Sequence, residues 1–230
     1  MNLQENIHRI KDMMGLITED QNNYENKPIV FVGPAGAGKS TTAKSVSKQL
    51  GIPYIDVDEM EGSEEFEKNC ANDGIVVNIK RVNSFNYGTQ NLKNIPENEW
   101  IQIQEQYKRC VLTKILQKYG NVKVVIDIGG DSIKNSDLLN SISNLFVFGV
   151  PSSPDEDVPY IEFLRKSRED RAKKMGQPEL ESGINNDDIQ QSINSIREYY
   201  RGKQNINPLD ANGKRKTTDE IVNEIITKLT

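Results

Sequence analysis

The sequence has a single histidine, only two cysteines and no long apolar run. Each shortage closes off a class of protein. No window approaches the roughly 20 consecutive apolar residues that span a bilayer, so no membrane-spanning helix is expected. The opening stretch "MNLQENIHRIKDMM" interleaves apolar with polar residues. That is not the layout of a secretory leader, and a cytoplasmic location is the expectation. Basic residues are not in excess: 29 Lys and Arg stand against 34 Asp and Glu, for a net charge of −5 and a pI near 5.2. Nucleic-acid binding is dominated by basic contacts to phosphates, so it is not expected as the main activity. Cys70 and Cys110 lie forty positions apart with no C-x-x-C spacing. That pattern predicts neither a zinc site nor a disulfide framework, but two partly buried free thiols. His8 has no second histidine to work with and reads as structural or neutral. No internal repeat is present.

What remains is enough for a core. The 230 residues, 35% of them hydrophobic, suit one large domain or a core domain carrying an inserted lid. Ile7, Ile10, Met14 and Ile17 recur at helical spacing, which predicts an amphipathic helix over 2–17. A polar linker follows, so residues 1–27 stand apart from a main unit of 28–230. That unit reads as strand 29–33, a glycine-rich turn, a helix closed by Gly51, and strand 52–58. "GIVVNIK" (74–80) is strand-like, and 96–119 is helical, opening on proline and acids and stopping at Gly120. The runs "VKVVIDI" (122–128) and "NLFVFGV" (144–150) show no alternation, as expected of strands buried on both faces of a parallel sheet. Residues 151–188 are polar, with little to bury. A helix over about 188–201, an edge strand "QNINPLD" whose Pro208 fits only an edge, and a last helix complete the chain. The order predicts a three-layer α/β domain around a parallel sheet.

"GPAGAGKS", Gly33 to Ser40, fits G-x-x-x-x-G-K-[ST] between a strand and a helix, the context that gives this pattern meaning. Glycines let the backbone wrap closely and aim N–H groups at an anion, and the helix N-terminus adds partial positive charge. Gly33, Pro34, Ala35, Gly36, Ala37 and Gly38 would thus cradle phosphates. Lys39 would reach the β- and γ-phosphates, Ser40 would ligate Mg²⁺, and Thr41 would hold the α-phosphate. No Asn-Lys-x-Asp stretch follows a later strand, so ATP is favoured over GTP, and an ABC-type signature is absent.

Three carboxylates end predicted strands. Asp56 and Asp58 are two apart, so in a strand they project to one side, beyond the strand ends where ligands of open parallel sheets bind. Asp58 with Glu61 also reads as a D-x-x-E helix cap, an alternative to a functional role; for Asp56 a functional role is the expectation. Asp127 closes "VVID", where phosphate-loop proteins place a magnesium-associated acid.

With the loop, the D-x-D and the glycine pair in this order, the chain resembles the shikimate kinase family over roughly residues 28–230. "IVFVGPAGAGKSTTAKSVSKQLGIPYIDVDEME", "VVIDIGGDSI" and the C-terminal "REYYRGKQNINPLDANGKRKTTDEIVNEIITKL" carry the resemblance. It implies a five-stranded parallel sheet of order 2-3-1-4-5, with an acceptor-binding insert at 59–119 and a lid at 151–188. It further implies Asp56 near Mg²⁺, Asp58 binding the acceptor hydroxyl and acting as its base, and amides of Gly129 and Gly130 holding the acceptor. Arg171 or Arg168 would close from the lid onto the phosphates. Arg197 lies near the family's acceptor-binding arginine. Two positions depart: no arginine follows Trp100, and Asp131 replaces a third glycine. Like charges in a dry pocket are costly, which argues against shikimate itself unless Arg81 or Arg109 supplies a cation.

The expected activity is ATP- and Mg²⁺-dependent phosphoryl transfer to a hydroxyl of a small molecule, by a monomer or weak homo-oligomer. A nucleoside or nucleotide kinase and a non-catalytic ATP-binding regulatory module are the alternatives.

Overall fold

The computed structural model describes residues 27–72, 97–129, 135–149, 151, 156–176 and 185–229. The expected helix at 2–17, the strand at 74–80, Arg81, Gly130 and Asp131 lie outside them. The described elements are β1 (Ile29–Val32), α1 (Lys39–Leu50), β2 (Tyr54–Asp56), α2 (Val57–Glu61), α3 (Glu64–Asn72) and α4 (Glu97–Tyr119). They continue with β3 (Val125–Asp127), α5 (Ser136–Leu139), β4 (Asn144–Phe148), α6 (Asp157–Met175), α7 (Asn186–Tyr199), β5 (Gln204–Ile206) and α8 (Thr218–Leu229).

The five strands form one parallel sheet of order β2-β3-β1-β4-β5. The sheet is covered on both faces because alternate side chains of each strand point opposite ways. Val30, Val32, Ile126, Ile128, Leu145 and Val147 go to one side and pack with Tyr107, Val111, Leu112 and Ile115 of α4. Ile29, Phe31, Val125, Phe146 and Phe148 go to the other and pack with Ala43 and Val46 of α1, with Leu164 of α6, and with α7 and α8. Burying a side chain of this size contributes about 1.5–3 kcal/mol. β5 is an edge strand, and Pro208 falls just beyond it.

Three expectations are corrected. β2 stops at Asp56 and the chain turns straight into α2, so Asp56 and Asp58 do not share a strand. The polar 151–188 segment contains a 19-residue helix, α6, which buries Tyr160 and Leu164. Spaced by four, these two lie on one helical face, a weak stripe among many charges. Finally, Cys70 and Cys110 form a disulfide, with Cα atoms 6.0 Å apart. Distance along the chain concealed this: Cys70 lies on the buried side of α3, and Cys110 on the face of α4 that also buries Tyr107 and Val111. Those faces meet, and the separation suits a bridge.

Candidate active site

The phosphate loop leaves β1 at Gly33 and enters α1 at Lys39. Gly36 and Gly38 have φ of 88° and 92°, a region that side chains disfavour. Gly38 is the N-cap and supplies no side chain to the first amides of α1. Those amides are the unsatisfied donors that make a helix N-terminus an anion site. Pro34 and Ala37 are buried, whereas Ala35, Ser40 and Thr41 are exposed. Lys39 is only 7% exposed, and its ammonium donates to the carbonyl of Pro34 at 3.2 Å. The cation is therefore folded into the loop it serves.

Asp127 stands across from this lysine at the end of β3, 4% exposed. Burial pushes its carboxyl above the ordinary range, opposed by the nearby Ser40 hydroxyl and Lys39 charge. Its Oδ1 is buried and has no hydrogen-bond partner. Register pairs Asp127 with Asp56 across β3 and β2. The Tyr54 hydroxyl lies 3.1 Å from Asp56 Oδ2 and 3.2 Å from Asp127 Oδ2. Burial, then the two carboxylates, hold this phenol well above its usual range. Sequence reading missed Tyr54, although its place two before Asp56 puts both on one strand face.

The donors suit magnesium: a serine hydroxyl, a carboxylate oxygen lacking a partner, and a second carboxylate alongside. Among the described residues no group of three or more His, Cys, Asp or Glu gathers into a metal cage. Magnesium does not demand one, because it retains waters and takes phosphate oxygens from a nucleotide. Ser40 and Asp127 would hold it, with Asp56 beside them.

Of these two acids it is Asp56, and not Asp58, that caps a helix. Asp56 is the N-cap of α2: its Oδ1 accepts the N–H of Asp58 at 3.1 Å. Asp58 itself lies exposed in the first turn of α2. Its carboxylate faces Gly129, where a Cβ would lie 2.3 Å from Asp58 Oδ1. Asp58 and Gly129 are thus brought together at the strand ends.

α6 lies over the phosphate loop. A Cβ on Gly36 would sit 3.3 Å from the Leu164 carbonyl and 3.4 Å from Cγ of Arg168. Arg168 Nε donates to the Ala35 carbonyl at 3.1 Å. Arg168 is half-buried on the side of α6 that meets the loop, whereas Arg171, one turn further on, is exposed. Arg197 is engaged elsewhere, paired with Asp157 at 2.5 Å and donating to the Pro151 carbonyl at 3.3 Å. It ties α7 to the base of α6. Arg109 pairs with Asp137 at 2.5 Å and also donates to Asn135.

Comparisons with known proteins bear on the fold. The model of the family described as "ATPase family associated with various cellular activities (AAA)" matches residues 29–105, which include the phosphate loop. A cytidylate kinase of Clostridioides difficile (strain 630) is 29% identical over 224 residues, covering 89% of this chain and 98% of the relative. The shikimate kinase from Acinetobacter baumannii, solved in complex with shikimate, superposes with a TM-score of 0.52 at 17% identity, covering 90% of this chain and 97% of that one. Shikimate kinase from Bacteroides thetaiotaomicron gives 0.51 at 19%, covering 88% and 98%. Among the described residues no helix is long and apolar enough to cross a membrane. The five-stranded parallel sheet, its 2-3-1-4-5 order and the loop after β1 together give this chain the fold of the phosphate-loop kinases.

Proposed function

We propose that this chain transfers the γ-phosphoryl group of ATP to a hydroxyl of a small molecule held between Asp58 and Gly129. The observation that carries the reading is the carboxylate of Asp58 set against Gly129 at the strand ends, on the side of the phosphate loop. A carboxylate there can accept a hydroxyl proton and aim the oxygen, and the side-chain-free Gly129 lets that carboxylate lie close to the backbone. Phosphoryl transfer needs positioning and charge neutralisation more than covalent help. Lys39 and the amides opening α1 would bind the phosphates, and Arg168 would bring a second cation from α6. Magnesium, when bound with ATP, supplies further neutralisation of the phosphate oxygens. Closure of α6 onto the phosphate loop would keep water from the reacting group.

A second reading, phosphorylation of a nucleoside monophosphate, is favoured by whole-length similarity to cytidylate kinases. It requires cations for the acceptor phosphate, and Arg109, one candidate, is engaged by Asp137.

The test is ADP release from ATP and Mg²⁺ in the presence of shikimate and other hydroxy acids, sugars, nucleosides and nucleoside monophosphates. Release that depends on a hydroxyl compound, and disappears in Lys39→Ala and Asp58→Asn, supports the first reading. Release that depends on CMP or another monophosphate moves the assignment to the second. Tight ATP binding without turnover on any acceptor would leave a non-catalytic ATP-binding module.

A further inference from the structure

β2 is three residues long, and its first and last residues, Tyr54 and Asp56, face the same way. In the parallel register Asp56 stands opposite Asp127, which places Tyr54 diagonally across from Asp127. One phenol oxygen therefore lies 3.1 Å from one carboxylate and 3.2 Å from the other. The ring cannot swing away freely. It packs against the core that includes α1, and the Lys44 ammonium lies 5.3 Å from its centroid.

The contacts also sort the carboxylate oxygens. Tyr54 engages Oδ2 of both acids. Oδ1 of Asp56 is used by the Asp58 amide, while Oδ1 of Asp127 has no partner. A phenol carries one proton, so it bonds one carboxylate at a time and leaves negative charge concentrated between β2 and β3. A cation on the loop side would offset that charge.

We propose that Tyr54 is a positioning residue for the magnesium site: its hydroxyl fixes the rotation of the Asp127 and Asp56 carboxylates so that Asp127 Oδ1 is left toward the cation. Tyr54 does not touch the reacting atoms, and acts through the two acids. This rests on reading Ser40 and Asp127 as the metal side of an ATP site. Hydrogen-bonded groups behind a metal ligand typically change metal affinity by about 10–100-fold when removed.

The test compares wild type with Tyr54→Phe, which keeps the ring and removes the hydroxyl. ATP affinity is measured by equilibrium binding with Mn²⁺ and with excess chelator, and Mn²⁺ occupancy is followed by electron paramagnetic resonance. The expected result is ATP affinity in chelator within about 2-fold of wild type and a loss of about 10-fold or more in the Mn²⁺-dependent gain. A melting curve verifies folding, and Lys44→Met, which disturbs the ring but keeps the hydroxyl, should retain most of the gain. A Tyr54→Phe protein that melts earlier yet keeps the full Mn²⁺-dependent gain would overturn the proposal, as would a wild type whose ATP affinity ignores Mn²⁺. No acceptor enters these measurements. Failure to find a phosphorylated product would count against the kinase reading and leave the Tyr54 proposal intact.

Discussion

The Asp58 carboxylate occupies the space that a side chain on Gly129 would need, with Oδ1 only 2.3 Å from the position of a Cβ. A Cβ at Gly129 would displace this carboxylate, while the backbone itself does not call for glycine, since its φ is not positive. Gly129→Ala should force Asp58 to another rotamer. The expected outcome is a fall of about 100-fold in kcat/KM for the acceptor, near 2.7 kcal/mol, with ATP affinity unchanged. Asp58→Asn should lose turnover to a similar or greater degree. Steady-state kinetics with the acceptor found by the ADP-release panel decides this. Full activity in both variants would reduce Asp58 to a surface residue of α2.

Acid stability should carry the signature of Asp137. Its hydrogen bond from Arg109 lowers its pKa from the ordinary 3.8 to about 2. A depressed carboxylate favours the folded state above its unfolded pKa, and that contribution disappears as pH falls through the folded value. The window thus runs from 3.8 down to about 2. Both partners are about half exposed, at 46% and 60%, so solvent screens the pair and its contribution is about 1 kcal/mol or less. Asp137→Asn should cost that much at neutral pH and make denaturant stability less dependent on pH across the window. An unchanged acid limb in the variant would show that the pair contributes nothing.

The Cys70–Cys110 bridge closes a loop of sequence separation 40 and joins α3 to α4. Chain-entropy estimates give about 4 kcal/mol for a loop of this length. Denaturant unfolding with and without a thiol reductant should show a loss of about 2–4 kcal/mol on reduction, and Cys70→Ser/Cys110→Ser should match the reduced protein. Because the bridge ties down the elements beside Asp58, reduction should weaken acceptor binding more than ATP binding. Equal stability in both redox states would contradict the prediction.

These cases show which features the sequence carried. The strand–loop–helix at 29–50 and the apolar runs around Val125 and Phe146 were legible because local pattern alone determines them: glycines where the backbone turns left-handed, and continuous apolar residues where both faces are covered. The sheet order came from a family resemblance and not from periodicity. The disulfide was invisible because it depends on two helix faces meeting across 40 residues. The cap falls on Asp56 because β2 ends two residues before the expected strand does, and Asp56 with Glu59 has the same D-x-x-E spacing as Asp58 with Glu61. Tyr54 was passed over because a tyrosine opening a strand reads as packing until the register sets it beside two acids.

The two α6 arginines separate on exposure and contact. Arg168 is half-buried on the side of α6 that meets the loop, and its Nε already reaches the Ala35 carbonyl in the phosphate loop. Arg171 is three residues further on and exposed. The cation that meets the transferring phosphoryl group should therefore be Arg168. Arginines in this role can contribute about 10³-fold or more to kcat. Arg168→Ala should lower kcat by about 100-fold or more with a smaller change in ATP affinity, and Arg171→Ala should stay within about 3-fold of wild type. Arg168→Lys should recover little, because a lysine offers a point charge in place of a planar fork. The readout is kcat at saturating ATP and acceptor. A larger loss in Arg171→Ala than in Arg168→Ala would mean that α6 rotates by most of a helical step on closing, and would transfer the catalytic assignment to Arg171.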